Sequence, residues 1–494
     1  MACWAFLVLS CLILPVLTTD PAVLIVSFDG FRHDYFDRIS SPNFDRLKKI
    51  GSHGDLMNVF ETKTFPNHQS LATGLYPESH GVLANHVFDP QYNRTVNYSA
   101  ELWHYNDQIM PIWTLNEISS KERNSGVMMW PGSEFSYHRG VVPTFIHKWD
   151  SKWSFQRRVD VVMSWLTQQH SSANLVMLYM EEPDTHAHAF GSESDEVTEQ
   201  IKNVDSYIGY LADQLERYNL TESVDTFIVS DHGMTETDEH RIIDLNKIVD
   251  SSLYLRVGTS PVIHVYPNPG ELPNLLRQLE WASQQYRTFD VFTKDNLPEH
   301  WKVANCRRAP PILLVAKEGY AFDDLRQAIV EYAKKYNFTP SSSHRYGLHG
   351  YDNLERKMQP FFLAFGPSIR EDYQAPQLHS IDLFSLWSHM LRLPAHATNG
   401  TLSADTLSLL RAHHITPSLS SLLITFTCVS LAVLIIGGTG IVATRRLINK
   451  RHSDECTQPY RGMQSLEVEE NEEIMVEIVN GNVEEQHLLS GDSS

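Results

Sequence analysis

The chain has 494 residues, of which 42% are hydrophobic and 20% charged, the proportions of an ordinary folded protein rather than a disordered one. Its formal net charge of -20 disfavours nucleic acid as a partner, because phosphate backbones attract Lys and Arg. The length allows one large α/β domain or two smaller domains.

The first 19 residues form an apolar run that ends in small polar residues and contains no acid. This pattern predicts a secretory signal peptide over residues 1–19, although the usual basic start is missing. A first buried strand is the alternative interpretation. It is disfavoured because residues 22–28 already supply that strand.

Short, continuously apolar runs predict strands that are buried on both faces of a parallel sheet. These runs cover residues 22–28, 174–180 and 225–230, with further candidates at 311–316 and 360–365. Between the second and third runs, apolar residues recur at steps of three and four, as in an amphipathic helix. They are Val197, Ile201, Val204, Ile208, Leu211 and Leu215. Strand, helix and strand in this order predict an α/β fold, a doubly wound and mostly parallel sheet with helices on both faces.

Polar residues follow three of these strands directly. Asp29, Asp184 and the pair Asp231 and His232 each come just beyond a predicted carboxyl end, where open α/β sheets bind their ligands. Thr64 lies two residues before Pro66, which indicates a helix N-terminus and therefore free N–H groups that suit a phosphate. We expect these segments to converge at one edge of the sheet.

Each of these residues has a simpler explanation when it is taken alone. Asp at a strand end and Thr64 could cap helices, and Asp184 and His188 could lie on a solvated helix face. A single His such as His349 is more often a hydrogen-bonded core residue than a ligand. The co-occurrence of all the motifs, in order, argues against these alternatives.

In that order the motifs closely resemble the ectonucleotide pyrophosphatase/phosphodiesterase family, within the alkaline-phosphatase superfamily. The resemblance covers residues 26 to about 399 and implies an alkaline-phosphatase-like fold. It rests on Lys63-Thr-Phe-Pro-Asn-His68, Val82-Leu-Ala-Asn85, Trp130-Pro-Gly132, Glu181-Glu-Pro-Asp184, Ser230-Asp-His-Gly-Met234 and His349-Gly-Tyr-Asp-Asn353.

The resemblance implies two zinc ions. Asp29, Asp231, His232 and Thr64 would bind one, and Asp184, His188 and His349 would bind the other. Mixed carboxylate and imidazole ligands suit zinc better than magnesium, which prefers oxygen ligands only.

The resemblance also implies that Thr64 is a nucleophile that forms a covalent phosphoryl-threonine ester, and that Asn85 binds a phosphoryl oxygen. Phe65 and Trp149 would stack on a nucleotide base, although Trp149 could equally be a packing residue. The chain departs from the family at Ala187, where relatives usually carry Gly. His186 is an additional imidazole that could compete with His188.

Residues 418–443 are apolar and are followed by a basic cluster, a pattern that predicts a transmembrane helix with a cytoplasmic tail over residues 444–494. We expect an extracellular catalytic domain over residues 20–398, with an insertion at about 93–154 and a stalk over 399–417. The glycosylation motifs all precede the span and agree with this single-pass type I plasma-membrane topology. They begin at Asn93, Asn97, Asn219, Asn337 and Asn399.

Two further features of the chain leave alternatives open. Cys306 is expected to be a buried or free thiol rather than an intermolecular bridge, since it is the one Cys of the predicted extracellular part. Tyr460 and the pair Leu488 and Leu489 resemble sorting signals that bind endocytic adaptors, although such short motifs often arise by chance.

The leading functional hypothesis is a cell-surface zinc hydrolase of phosphodiester or pyrophosphate bonds, with NAD or dinucleoside polyphosphates as candidate small-molecule substrates. A phosphodiesterase acting on choline-containing lipids is one alternative. A catalytically idle adhesion or receptor ectodomain on the same fold is another, and it is disfavoured because no ligand residue is lost.

Overall fold

The computed structural model describes residues 22–411 and, beyond them, the single residues Thr427, Arg445 and Arg446. The predicted signal peptide and sorting motifs, and the predicted membrane span and tail apart from these three residues, lie outside the described residues. Within the described part of the chain, no helix is both long and apolar enough to cross a bilayer.

The strands alternate with helices along most of the chain. In order, the strands are β1 (Ala22–Phe28), β2 (Gly51–Met57), β3 (Val87–Asp89), β4 (Arg94–Val96), β5 (Ser125–Met128), β6 (Phe145–His147), β7 (Leu175–Met180), β8 (Val224–Val229), β9 (Thr235–Thr237), β10 (Ile242–Ile243), β11 (Tyr254–Thr259), β12 (Val262–Pro267), β13 (Phe289–Thr293), β14 (Ile312–Ala316), β15 (Ala321–Phe322), β16 (Tyr346–Leu348), β17 (Phe361–Phe365), β18 (Tyr373–Gln374) and β19 (Leu378–His379).

The helices vary from one turn to more than six turns. In order, they are α1 (Pro42–Lys49), α2 (Thr64–Thr73), α3 (Pro77–His80), α4 (Ala100–Trp103), α5 (Ile112–Ser119), α6 (Phe155–Leu166), α7 (Asp184–Phe190), α8 (Asp195–Arg217), α9 (Leu272–Tyr286), α10 (Leu325–Tyr336), α11 (Asp382–Met390) and α12 (Ala404–Leu407).

The main sheet has nine strands, in the order β18-β2-β17-β8-β1-β7-β5-β6, with β19 also paired to β2. β1 lies at its centre and pairs in parallel with β7 and β8. Among its described strands only β17 runs antiparallel to its neighbours. The sheet is therefore mixed but mostly parallel, as the apolar runs predict.

Helices cover both faces of this sheet. Successive side chains of a strand point to opposite faces, and every residue of β7 and β8 is buried, so both faces are shielded from water. The predicted helix between these strands is α8, whose apolar stripe is buried. Its first turn is capped by Ser194, whose side chain accepts a hydrogen bond from the Val197 N–H.

A second, four-stranded antiparallel sheet was not predicted. Its order is β11-β12-β14-β13, and it has its own apolar cluster with residues of α9 and α10. The apolar run at 311–316 does form a strand, β14, but it belongs to this second sheet. Pairing partners of a buried strand depend on long-range contacts, which an apolar run does not specify.

Two of the predicted boundaries are corrected by the structure. The range 93–154 is not an insertion throughout, because it supplies β5 and β6 of the main sheet. Residues 399–411 of the predicted stalk are packed on the folded domain: Leu409 and Thr406 are fully buried, and the Arg370 N–H donates to the Leu409 carbonyl at 2.8 Å. The segment reads as a stalk because its few apolar residues are separated by polar ones.

Leu409→Ala should lower the free energy of unfolding by about 2–5 kcal/mol, because it removes a fully buried side chain and leaves a cavity. Chemical denaturation measures the change. Leu407→Ala is the matched control, since Leu407 is 39% exposed and its truncation should cost less than about 1 kcal/mol. Equal, small effects of both changes would restore the stalk interpretation.

Candidate functional site

Three neighbouring parallel strands bring four polar side chains to one edge of the main sheet. Asp29 follows β1, Asp184 follows β7 at the start of α7, and Asp231 and His232 follow β8. The Asp184 N–H donates to the Asp29 carbonyl at 3.1 Å. This approach requires Gly30, because a Cβ there would lie 2.8 Å from the Asp184 Cβ.

The first cluster consists of Asp29, Asp231 and His232, all of which are buried. His232 Nε2 lies 3.3 Å from Asp29 Oδ1 and 3.1 Å from Asp231 Oδ2. One ligand atom from each of the three residues lies within 4.8 Å of the other two, which is close enough for a shared metal ion.

The second cluster consists of Asp184, His188 and His349. Asp184 Oδ1 lies 3.4 Å from His188 Nε2 and 3.5 Å from His349 Nε2, and the two nitrogens are 3.1 Å apart. The rings of His349 and His232 stack with centroids 3.6 Å apart, so the two clusters are in contact.

Backbone carbonyls fix the orientation of all three imidazoles. Nδ1 of His188 lies 3.0 Å from the Gly347 carbonyl, Nδ1 of His349 lies 2.8 Å from the Thr62 carbonyl, and Nδ1 of His232 lies 2.9 Å from the Gly233 carbonyl. A carbonyl only accepts, so each Nδ1 carries the proton and each Nε2 turns a lone pair towards its cluster. Metal-binding histidines are usually oriented in this way.

Two of the carboxylates have the same arrangement, with one oxygen accepting a hydrogen bond from the protein and the other turned towards the cluster. Tyr179 Oη donates to Asp29 Oδ2 at 2.6 Å, and the Gly30 N–H donates to Asp231 Oδ1 at 3.1 Å. Among the described residues none donates a hydrogen bond to Asp29 Oδ1, Asp184 Oδ1 or Asp231 Oδ2, although all three atoms are buried. Buried polar atoms normally have a partner, so these oxygens fit a cation.

The electrostatics of the clusters point the same way. Burial, and then repulsion from Asp184, raises the pKa of Asp29 well above its usual range, and burial and Asp231 do the same to the pKa of Asp184. Burial also lowers the pKa of His188 to about 4. A cation between these groups favours charged carboxylates and neutral imidazoles together.

Thr64 is the first residue of α2 and lies beside the first cluster. Its Oγ1 is 3.5 Å from His232 Nε2. The next N–H, that of Phe65, donates to Asn85 Oδ1 at 3.1 Å. The Asn85 amide group is thereby held at the free N-terminus of the helix, with its NH₂ group left to donate.

Comparison with known proteins agrees with this geometry. The family model described as "Type I phosphodiesterase / nucleotide pyrophosphatase" matches residues 23–352. The chain belongs to this family. Its members hydrolyse phosphodiester or pyrophosphate bonds, so the protein is a hydrolase of that class.

Similar relatives cover most of the chain. Human ectonucleotide pyrophosphatase/phosphodiesterase family member 5 is 34% identical over 386 residues, which is 77% of this chain and 76% of the relative. A bis(5'-adenosyl)-triphosphatase of Xenopus laevis is 34% identical over 393 residues, 79% of this chain and 82% of the relative.

Solved structures of family member 5 have the same fold. The mouse protein matches with a TM-score of 0.71 and 35% identity, covering 79% of this chain and 100% of that one. A second mouse structure, an inactive threonine-to-alanine variant in complex with AMP, matches with a TM-score of 0.71 and 34% identity and has the same coverage.

Within this family fold, the two candidate base-stacking residues differ in their surroundings. Phe65 packs against Tyr98 and Trp103, with ring centroids 5.3 Å and 5.4 Å away. Trp149 lies just past β6, at the same edge of the main sheet, and is 56% exposed. The packing interpretation of Trp149 is thus disfavoured, while its contact with a base stays a prediction.

The structure separates His186 from the clusters. Its Nδ1 lies 2.8 Å from Glu182 Oε1, one helical turn earlier, whereas His188 faces Asp184 and His349. The family spacing therefore selects the imidazole that joins the second cluster. Ala187 between them is fully buried and leaves both histidines in place.

Other predicted sites lie away from the clusters. Cys306 is buried and free, in agreement with the interpretation as a thiol. The Asn residues of the glycosylation motifs are exposed, as attachment of a glycan requires; they are Asn93, Asn97, Asn219, Asn337 and Asn399.

Sequence reasoning missed three residues that support the site. Tyr179 holds Asp29, Thr62 holds His349 through its carbonyl, and Asn67 ties the loop before α2 by donating to the Lys63 carbonyl at 3.0 Å. The alternation of side chains along β7 places Tyr179 on one face of the sheet, but no sequence signal indicates that it binds Asp29. Thr62 also accepts from the Gly350 N–H through its Oγ1 at 2.9 Å, and no sequence signal indicates either of its partners.

His188→Ala should weaken binding of a divalent ion at the second cluster by at least about 10-fold, because it removes one of three converging ligands. Titration of Co²⁺ into chelator-treated protein, followed by calorimetry, measures this. His186→Ala is the matched control and should leave the titration unchanged. Weaker binding in the His186 variant alone would reverse the assignment.

Proposed function

We propose that the protein is a zinc-dependent nucleotide pyrophosphatase/phosphodiesterase that acts through a covalent threonine intermediate. The observation that carries the proposal is the position of Thr64, at a helix N-terminus and 3.5 Å from an imidazole of the first cluster. One edge of the main sheet therefore carries a candidate nucleophile, a helix N-terminus suited to phosphate and two candidate cation-binding clusters.

The donor atoms fit two zinc ions. Asp29, Asp231, His232 and Thr64 would hold one ion, and Asp184, His188 and His349 the other. Carboxylate and imidazole together are typical of zinc rather than of magnesium. Two such ions would supply positive charge that favours an ionised oxygen nucleophile and stabilises the transferring phosphoryl group.

The chain's own residues account for phosphoryl positioning. Because Asn85 Oδ1 is occupied by the Phe65 N–H, its NH₂ group is free to donate to a non-bridging phosphoryl oxygen. The dipole at the N-terminus of α2 favours the same negative charge, although Asn85 takes the Phe65 N–H and Pro66 has none. Both interactions hold the phosphorus in front of Thr64 Oγ1.

In the first step, Thr64 Oγ1 forms a bond to phosphorus while the bond from phosphorus to the leaving oxygen breaks. The hydroxyl proton of Thr64 passes to solvent, and the leaving group departs as a phosphate or, after it takes up a proton, as an alcohol. The nucleotidyl group stays on Thr64 as a phosphodiester. In the second step, water attacks the phosphorus and the bond to Thr64 Oγ1 breaks, which restores the hydroxyl.

A nucleotide is the favoured substrate moiety. Phe65 lies next to the nucleophile and Trp149 offers an exposed indole at the same sheet edge, and stacking on an aromatic is worth about 1–3 kcal/mol per base. The Xenopus relative is named for cleavage of a dinucleoside triphosphate, and the mouse variant was solved with AMP. NAD and dinucleoside polyphosphates are therefore the candidate substrates. A choline phosphodiester is the alternative.

The purified protein should release AMP from diadenosine triphosphate, and chromatography of the products measures this. Thr64→Ala should lower the rate by at least about 1000-fold because it removes the nucleophile, whereas Thr64→Ser keeps a hydroxyl and should retain more activity. Faster turnover of a choline phosphodiester than of any nucleotide would support the lipid alternative. Turnover of neither substrate would support an idle ectodomain.

We also propose a type I plasma-membrane topology, with the catalytic domain outside the cell. The apolar run at residues 1–19, the apolar run at 418–443 followed by basic residues, and the five exposed glycosylation motifs support it. The tail would bind endocytic adaptors through Tyr460 and Leu488.

A membrane-impermeant biotin reagent should label this protein on intact cells. The mass of the protein should fall after glycosidase treatment. Labelling that requires permeabilised cells would contradict the topology. A Tyr460→Ala and Leu488→Ala variant that is internalised at the normal rate would contradict adaptor binding.

A further inference from the structure

The loop before the nucleophile contains a buried pair of charges that the proposed mechanism does not use. Glu61 and Lys63 are 1% and 2% exposed, and Lys63 Nζ lies 3.2 Å from Glu61 Oε2. Burial of two charges away from water costs several kcal/mol per ion, which their attraction only partly offsets. Lys63 also places a cation at the N-terminus of α2, where the helix dipole disfavours positive charge.

These charges connect the loop to the second sheet. Lys63 Nζ donates to the Thr259 carbonyl at 2.7 Å, and Thr259 Oγ1 is 3.2 Å away. Glu61 Oε1 lies 2.7 Å from His264 Nε2, which must donate because a carboxylate only accepts. Thr259 ends β11 and His264 lies in β12, so both contacts reach one hairpin.

The hairpin is itself held firmly. The Ser260 N–H donates to Asp324 Oδ2 at 2.8 Å, and Ser260 Oγ donates to Asp324 Oδ1 at 2.7 Å. Packing leaves no slack beside Lys63, because a Cβ on Gly350 would lie 2.8 Å from Lys63 Cε and 2.8 Å from Pro261 Cδ. The ammonium of Lys63, the residue before Thr64, is thus held against this turn.

We propose that Lys63 is a positioning residue for the nucleophile, and that the second sheet acts through it to hold Thr64 in line with the bound phosphorus. This inference rests on the proposed function, since it assumes that Thr64 becomes nucleotidylated. Asn67 holds the same loop from within α2 by donating to the Glu61 and Lys63 carbonyls, and the Lys63 side chain ties this loop to the second sheet. Small displacements of a reacting group lower the rate steeply.

The test is the combined change Lys63→Met and Glu61→Gln. It removes both charges together, which avoids a single buried charge without a partner, and the new amide oxygen can still accept from His264. Rapid acid quench with diadenosine triphosphate as substrate measures formation of adenylyl-threonine in a single turnover. We expect this rate to fall about 10- to 100-fold, with KM and bound metal unchanged.

Leu279→Ala is the matched control for loss of stability. Leu279 is 1% exposed in the core of the second sheet, on α9 and outside the β11–β12 hairpin, so its truncation should lower Tm without slowing adenylyl transfer. Thr259→Val is a milder probe that removes only the side-chain acceptor of the ammonium. It should slow the same step by a smaller factor, and it decides the matter if the combined variant does not fold.

Adenylyl transfer to Thr64 at the wild-type rate in the combined variant, or an equal loss of rate in the Leu279 variant, would overturn the positioning role. Absence of adenylyl-threonine in the wild-type protein would instead overturn the proposed function. The two failures are therefore distinguishable.

Discussion

The site depends on the repulsion between buried carboxylate oxygens and imidazole nitrogens that all present lone pairs to one another. Asp29, Asp184 and Asp231 each turn one oxygen, which has no hydrogen-bond donor among the described residues, towards three imidazoles whose protons lie on the other side. Without a cation this arrangement is unfavourable, and burial together with repulsion from a neighbouring carboxylate raises the pKa of each of these carboxyls. A divalent ion in each cluster would offset this repulsion, which is why the arrangement fits a metal centre.

The main sheet makes this convergence possible. Its central strands β8, β1 and β7 are adjacent and parallel, so side chains more than 150 residues apart in sequence lie at one edge. Small residues and backbone groups then set the close distances: Gly30 admits Asp184, and the Thr62 and Gly347 carbonyls orient His349 and His188. The buried strands supply rigidity, while the loops after them supply the functional groups.

Sequence reasoning predicted the parts of this arrangement that depend on local pattern. Apolar runs located β1, β7 and β8, and the position of Asp29, Asp184 and Asp231 just beyond them predicted a shared edge. The second sheet was not predicted, since strand pairing is set by contacts distant in sequence. Residues 399–411 have the pattern of a stalk because Thr406 and Leu409, the two buried residues of the segment, stand among mostly polar and exposed ones. Tyr179 and Asn67 were missed because their partners are defined only by the fold.

No sequence motif indicates a role for the second sheet. Its contacts with the loop before Thr64 suggest one. A hairpin tip that only packed against the main sheet would need apolar residues, yet Thr259 and His264 meet a buried Lys and a buried Glu. Such polar contacts add little net stability, but they are directional and admit one geometry. They lie on the loop that carries Thr64, the proposed nucleophile. Under the proposed function, the buried charges of Glu61 and Lys63 are better explained by precise placement of Thr64 than by stability.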